Sequence, residues 1–133
     1  MPPTTQTKSS KRRILVVDDK SDNTRLVRQC LEQAGGYEVR EINDATAALA
    51  AAVAFKPDLI LLDIRMPGLD GGDLAARLQA DRQLAAVPIV FLTALVTKEE
   101  IKAGAARMGR YPVLAKPIVL PELLACIRQQ LGG

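Results

Sequence analysis

Residues 14–19 read Ile-Leu-Val-Val-Asp-Asp. A short run rich in β-branched residues, with no polar alternation, is the pattern of a strand buried on both faces. Here it ends on two carboxylates. The same motif recurs three times. Leu59-Ile60-Leu61-Leu62 runs into Asp63, Pro88-Ile89-Val90-Phe91-Leu92 into Thr93, and Val113-Leu114-Ala115 into Lys116. A further segment, Tyr37 to Ile42, alternates apolar residues with Glu38, Arg40 and Glu41 and reads as a more exposed edge strand.

The intervening segments have helical spacing. Ser21 or Asp22 is expected to cap a helix through Ala34, with Leu26, Val27, Cys30, Leu31 and Ala34 on one face and Gly35-Gly36 as its stop. Asn43 is expected to cap an Ala-rich helix ending near Phe55, before Pro57. Gly71-Gly72 precedes a helix to about Asp81. Thr97-Lys98-Glu99-Glu100 has capping-box spacing and opens a helix to about Met108. Pro121 suits a first helical turn, with Leu123, Leu124, Ile127 and Leu131 facing inward. Five strand–helix repeats require helical crossovers. The expected fold is therefore a parallel α/β sheet covered on both faces.

Composition agrees and narrows the function. The 133 residues are 48% hydrophobic and 25% charged, enough for one domain with a real core. The chain contains no His, so it has no His triad, zinc-finger histidine or phosphohistidine of its own. Cys30 and Cys126 stand too far apart in sequence for a CxxC metal motif and make no disulfide framework, which suits a reducing, cytoplasmic compartment. The longest apolar run, Ala47 to Phe55, is too short to span a membrane. The net charge of +3 is unevenly placed. Residues 1–13 carry Lys8, Lys11, Arg12 and Arg13, leaving 14 basic against 15 acidic side chains in residues 14–133. The reading is a basic flexible tail, 1–13, before a near-neutral domain, 14–133. Such a tail could touch nucleic acid or acidic lipid, but a solvated segment is the favoured reading. Arg12-Arg13 is no export signal, because the apolar stretch behind it ends at Asp18-Asp19.

In a doubly wound sheet, ligands bind beyond the carboxyl ends of the strands. Asp18, Asp19, Asp63, Thr93 and Lys116 all follow strands and so share one rim. Singly, each has an ordinary reading: an Asp as cap or turn former, Thr93 as a capping hydroxyl, Lys116 as a solvated charge. Together, three carboxylates and one ammonium sum to −2. Like charges about 4 Å apart repel by about 4 kcal/mol at an effective dielectric of 20. An all-oxygen acidic set of this kind suits Mg²⁺, or Mn²⁺, rather than a soft metal. A carboxylate so placed can attack phosphorus, provided its charge is countered and the phosphoryl oxygens are held. Pro67-Gly68, just past Asp63, reads as a tight turn that presents the carboxylate and leaves the Arg65 carbonyl able to reach the metal.

Asp18-Asp19, Asp63 with Met66-Pro67-Gly68 and Asp70-Gly71, Thr93-Ala94 and Lys116-Pro117 resemble the receiver domain of two-component response regulators, over residues 14–131. The resemblance implies a flavodoxin-like (βα)5 three-layer sandwich with strand order 2-1-3-4-5. It makes Asp63 the phosphoacceptor and gives Mg²⁺ to Asp19, Asp63 and the Arg65 backbone carbonyl, with Asp18 acting through water. It assigns Thr93, Ala94 and Lys116 to the phosphoryl group and a cis bond to Lys116–Pro117. The donor is then a sensor histidine kinase or a histidine phosphotransfer protein. The output is a protein target bound by the fourth helix, fifth strand and fifth helix, or onward phosphotransfer. A homodimer is compatible, and no direct DNA binding is expected. The chain would be no enzyme beyond catalysing its own Asp phosphorylation and dephosphorylation. Since only Gly132-Gly133 follows the last helix, the expected type is stand-alone, with no output domain.

Three residues depart from the family pattern. Val113 stands where receivers usually carry a switching aromatic, and its χ1 is stiff. Either the switch is muted or another element, such as residues 94–97, carries it. Pro112, which donates no hydrogen bond, points to the fifth strand as a sheet edge. Ile118 replaces the Phe common after Lys-Pro, a conservative packing change. Two competing readings follow. One is a phosphorylation-independent scaffold of the same fold. The other is a haloacid-dehalogenase-like phosphatase, disfavoured because Asp18 and Asp19 are adjacent rather than Asp-x-Asp.

Overall fold

The strand tips are brought together by a parallel sheet. The computed structural model describes residues 11–66, 69–93, 107–108 and 111–132. Its elements are β1 (Arg12–Val17), α1 (Ser21–Ala34), β2 (Tyr37–Ile42), a 3-10 turn (Ala45–Ala47) leading into α2 (Ala48–Phe55) and β3 (Leu59–Asp63). They continue with β4 (Arg65–Met66), β5 (Leu69–Asp70), α3 (Gly71–Ala80), β6 (Ile89–Thr93), β7 (Arg107–Met108), β8 (Tyr111–Ala115) and α4 (Leu120–Leu131). The main sheet has the order β2-β1-β3-β6-β8-β7. Its first five members are parallel, which is the 2-1-3-4-5 order of the flavodoxin-like fold. β4 and β5 pair antiparallel on either side of residues 67–68, which lie outside the described residues.

Alternation along the buried strands divides the core in two. Leu15, Val17, Ile60, Leu62, Ile89, Phe91 and Val113 pack with α2 and α3. Ile14, Val16, Leu59, Leu61, Val90 and Leu92 pack with Val27 and Leu31 of α1 and Leu123 and Ile127 of α4. β1 and β3 are buried on both faces along their apolar length, whereas the edge strand β2 buries only Val39. Among the described residues, no helix is long and apolar enough to cross a membrane.

Several local expectations are corrected. β1 starts at Arg12, so two arginines read as tail are strand residues. The Arg13 amide donates to Asp58 Oδ2 at 2.8 Å, and its guanidinium donates to the Phe55 carbonyl at 3.0 Å. Arg13 and Arg40 both lie over the Phe55 ring, 5.7 and 4.9 Å from its centre. The N-cap of α1 is Lys20, not Ser21 or Asp22. Its buried face is Thr24, Val27 and Leu31, while Leu26 is exposed. Gly35 and Gly36 end α1 at φ of 86° and 89°, where a side chain would be strained. The cap before α2 is Asp44, whose carboxylate accepts from the Thr46 amide at 3.0 Å; Asn43 is engaged elsewhere. The fifth parallel strand, β8, is not an edge, because β7 pairs with it antiparallel and sets Arg107 opposite Pro112. Residues 107–108 are therefore strand rather than helix end, and the remainder of the helix expected from Thr97 lies outside the described residues.

Candidate functional site

Each candidate side chain is placed by a strand end. Asp18 follows β1, and its amide donates to the Ile42 carbonyl at 3.0 Å. Asp63 and Thr93 are the last residues of β3 and β6. The Ile64 amide donates to Leu92 O at 3.1 Å, and the Lys116 amide donates to Thr93 O at 2.8 Å. Backbone bonds thus tie neighbouring tips together where side chains must converge. Asp18, Asp63 and Thr93 are 0%, 5% and 2% exposed, while Asp19 is half-buried.

Asp18, Asp19 and Asp63 each offer a carboxylate oxygen, all within 4.8 Å of one another. The Lys116 ammonium lies 2.8 Å from Asp18 Oδ2 and 3.2 Å from Asp63 Oδ1. Burial alone would lower the Lys116 pKa, but the hydrogen bond and charge of Asp18, followed by the charge and hydrogen bond of Asp63, outweigh it and raise the value. Among the described residues, three carboxylates stand with one ammonium, so the excess negative charge and all-oxygen donor set fit a hard divalent cation. The Lys116–Pro117 peptide is cis. Arg65 lies in β4 opposite Asp70. Ala94 and residues 95–97 are outside the described residues.

A polar shell around Asp18 was not anticipated. Asp18 Oδ1 accepts from the Lys20 amide at 3.0 Å, and Oδ2 accepts from Asn23 Nδ2 at 3.1 Å as well as from Lys116. Asn43 Nδ2 donates to the Asp18 carbonyl at 2.8 Å and to Thr24 Oγ1 at 2.9 Å. The buried Thr24 hydroxyl lies 2.8 Å from Glu41 Oε1, and Glu41 Oε2 pairs with Arg28 Nε at 2.6 Å. Only the polar spacing Asp18, Asn23, Thr24 could have signalled this, and such residues at a helix start read first as caps.

Val113 is buried opposite Phe91 in the β6–β8 register. The nearby aromatic is Tyr111, whose ring meets that of Phe91 edge-on, with centres 5.2 Å apart and planes at 82°.

Comparison with known proteins agrees with this geometry. The chain is 38% identical over 116 residues to the DNA-binding dual master transcriptional regulator RpaA of Synechocystis sp., covering 87% of this chain and 47% of that protein. It is 33% identical over 122 residues to the polar-differentiation response regulator DivK of Brucella anthropi, covering 90% and 95%. The chain thus spans about half the length of RpaA and nearly all of DivK. A similar solved structure is the receiver domain of sensor histidine kinase PA1611 from Pseudomonas aeruginosa PAO1, with a magnesium ion coordinated in the active site cleft. It is 30% identical, with a TM-score of 0.76 over 92% of this chain and 99% of that one. The family model described as the response regulator receiver domain matches residues 14–128, a span that includes all of Asp18, Asp19, Asp63, Thr93 and Lys116: this chain belongs to the receiver domain family of two-component response regulators.

Proposed function

We propose that Asp63 accepts a phosphoryl group from a phosphohistidine on a partner kinase or phosphotransfer protein, in a Mg²⁺-dependent reaction. The observation that carries this reading is the Lys116 ammonium, held between Asp18 and Asp63 beside a third carboxylate. In the transfer, an Asp63 oxygen forms the new P–O bond as the P–N bond to the donor imidazole breaks. Asp18, Asp19, Asp63 and the Arg65 carbonyl are the residues that would hold the cation, with Asp18 acting through water. When bound, the cation supplies countercharge to the phosphoryl oxygens. Lys116 binds another oxygen as its ammonium follows the new charge of about −2 on Asp63. The Thr93 hydroxyl completes the cradle together with backbone N–H groups, a role the resemblance assigns to Ala94. The chain's own contribution is positioning and electrostatics.

The proposed setting is cytoplasmic. The output is a protein target docked on the face that β8 and α4 share with the segment 97–108, or onward transfer to another histidine. The test is labelling by acetyl phosphate. Stoichiometric, Mg²⁺-dependent modification, absent in Asp63→Asn, is expected; equal labelling with the metal chelated would overturn the reading.

Buried Val113 favours a second reading, a scaffold whose contacts ignore phosphorylation. Partner affinity and self-association measured with and without acetyl phosphate separate the two. Unchanged values support the scaffold.

A further inference from the structure

Asp18 is clamped at its main chain and its side chain by different groups. Its amide and carbonyl are taken by Ile42 O and Asn43 Nδ2, so the backbone at the tip of β1 cannot shift without breaking two bonds. What remains free is rotation of the carboxylate. Three donors stop that rotation: the Lys20 amide on Oδ1, and Asn23 Nδ2 and the Lys116 ammonium on Oδ2. Of these, Lys116 is the one whose other contact, Asp63, changes charge on phosphorylation.

We propose that Asn23 is a positioning residue for Asp18, keeping its carboxylate oriented toward the cation when Lys116 moves to the phosphoryl group; this rests on Asp63 being the phosphoacceptor. Two physical features support the assignment. Asp18 is fully buried, and a buried carboxylate oxygen that loses its last donor is costly, so a second donor on Oδ2 must take over. The amide of Asn23 is also neutral. It restrains Asp18 without cancelling the negative charge that attracts a cation, as a second lysine would. Its position is itself fixed, since the Asn23 backbone N–H donates to the Lys20 carbonyl at 3.1 Å in the first turn of α1. Lys116 thus holds Asp18 in the resting site, and Asn23 holds it in the phosphorylated one.

The test is a double-mutant cycle on Mn²⁺ binding, read from the EPR signal of the free ion, with Lys116→Met standing for the departed ammonium. With Lys116 present, Asn23→Ala is expected to weaken Mn²⁺ by less than about threefold; in the Lys116→Met background the same change weakens it by about tenfold, the usual effect of losing a group that orients a ligand. Asn23→Gln, which keeps the donor, restores most of the loss, and thermal melts report whether each variant is folded. Equal losses in both backgrounds, or none in either, would overturn the proposal, and Asn23→Ser gives a second readout should Asn23→Ala unfold. In acetyl phosphate labelling, Asn23→Ala should reach the wild-type extent and need less than about threefold more Mg²⁺ for half-maximal rate, because Lys116 still holds Asp18 in the resting site. A wild-type protein that is not labelled at all would sink the phosphoacceptor reading instead, while the Mn²⁺ cycle would still decide whether Asn23 holds Asp18.

Discussion

Lys116 Nζ stands 2.8 Å from Asp18 Oδ2 across 98 residues of chain, joining the tip of β1 to the end of β8. β1 and β8 are not neighbours in the sheet; β3 and β6 lie between them. The ion pair therefore spans the rim from β1 to β8, over the Asp63 that ends β3, and the ammonium that closes the site is also the one the proposed phosphoryl group would recruit.

Removing that ammonium leaves three carboxylates facing one another. Lys116→Met is expected to destabilise the fold by about 1–3 kcal/mol in chelator, less than a fully buried broken pair because Asp18 keeps two donors and the rim opens to water. Urea unfolding checks this, and added Mg²⁺ should recover more stability in the variant than in the wild type.

The pH dependence has a definite sign. The Lys116 pKa is raised in the folded state, so its contribution to stability is complete below the ordinary lysine value of 10.5 and fades as pH rises through the higher folded value. In unfolding measured from about pH 9 to 12 with chelator, wild type should lose stability faster than Lys116→Met. Parallel curves would contradict the pairing.

Asp19→Asn should do the opposite of Lys116→Met. It removes one like charge from a cluster whose oxygens lie within 4.8 Å of one another, and is expected to stabilise the metal-free protein by about 1 kcal/mol after screening of this half-exposed group. Mn²⁺ affinity, read by EPR, should fall at least about tenfold.

Restoring an aromatic at position 113 should be costly. Val113 is 5% exposed in a packed layer with Phe91, so Val113→Tyr overfills it by about 1–3 kcal/mol. Tyr111→Leu should lose about 1 kcal/mol with the edge-on contact to Phe91. Thermal denaturation reads both. A change in phosphorylation-dependent partner affinity confined to Val113→Tyr would identify the missing ring as the reason for a muted switch.

The sheet was legible in the sequence because its inner strands are apolar on both faces, a pattern surface segments rarely share. The acidic rim was legible because four of those strands end in polar residues. What stayed hidden was the choice among short polar residues at helix starts. Ser21, Asp22, Asn23 and Asn43 are all plausible caps by type. Asn43 goes instead to the Asp18 carbonyl, since a buried strand-end oxygen must find a donor. Arg12 and Arg13 read as tail because their charge continues that of Lys8 and Lys11, while strand pairing leaves no mark in the sequence. In the structure the Arg12 amide donates to Gly36 O at 3.0 Å, and Arg13 is fixed by Asp58 and Phe55. β7 was missed because two residues carry no periodicity.

Parallel pairing puts Val17 beside Leu62, Leu62 beside Phe91, and Thr93 beside Ala115. The four tips are therefore indexed to one another like teeth on a common rack. Deleting one residue inside β3 would carry Asp63 off the rim and reverse which side chains meet α2 and α3, whereas a residue added between Asp81 and Val87, at the opposite end of β6, would leave the index intact. Natural length variation in such a chain should accordingly gather away from the strands, and within that far turn it should spare Leu84, whose side chain is buried in the core.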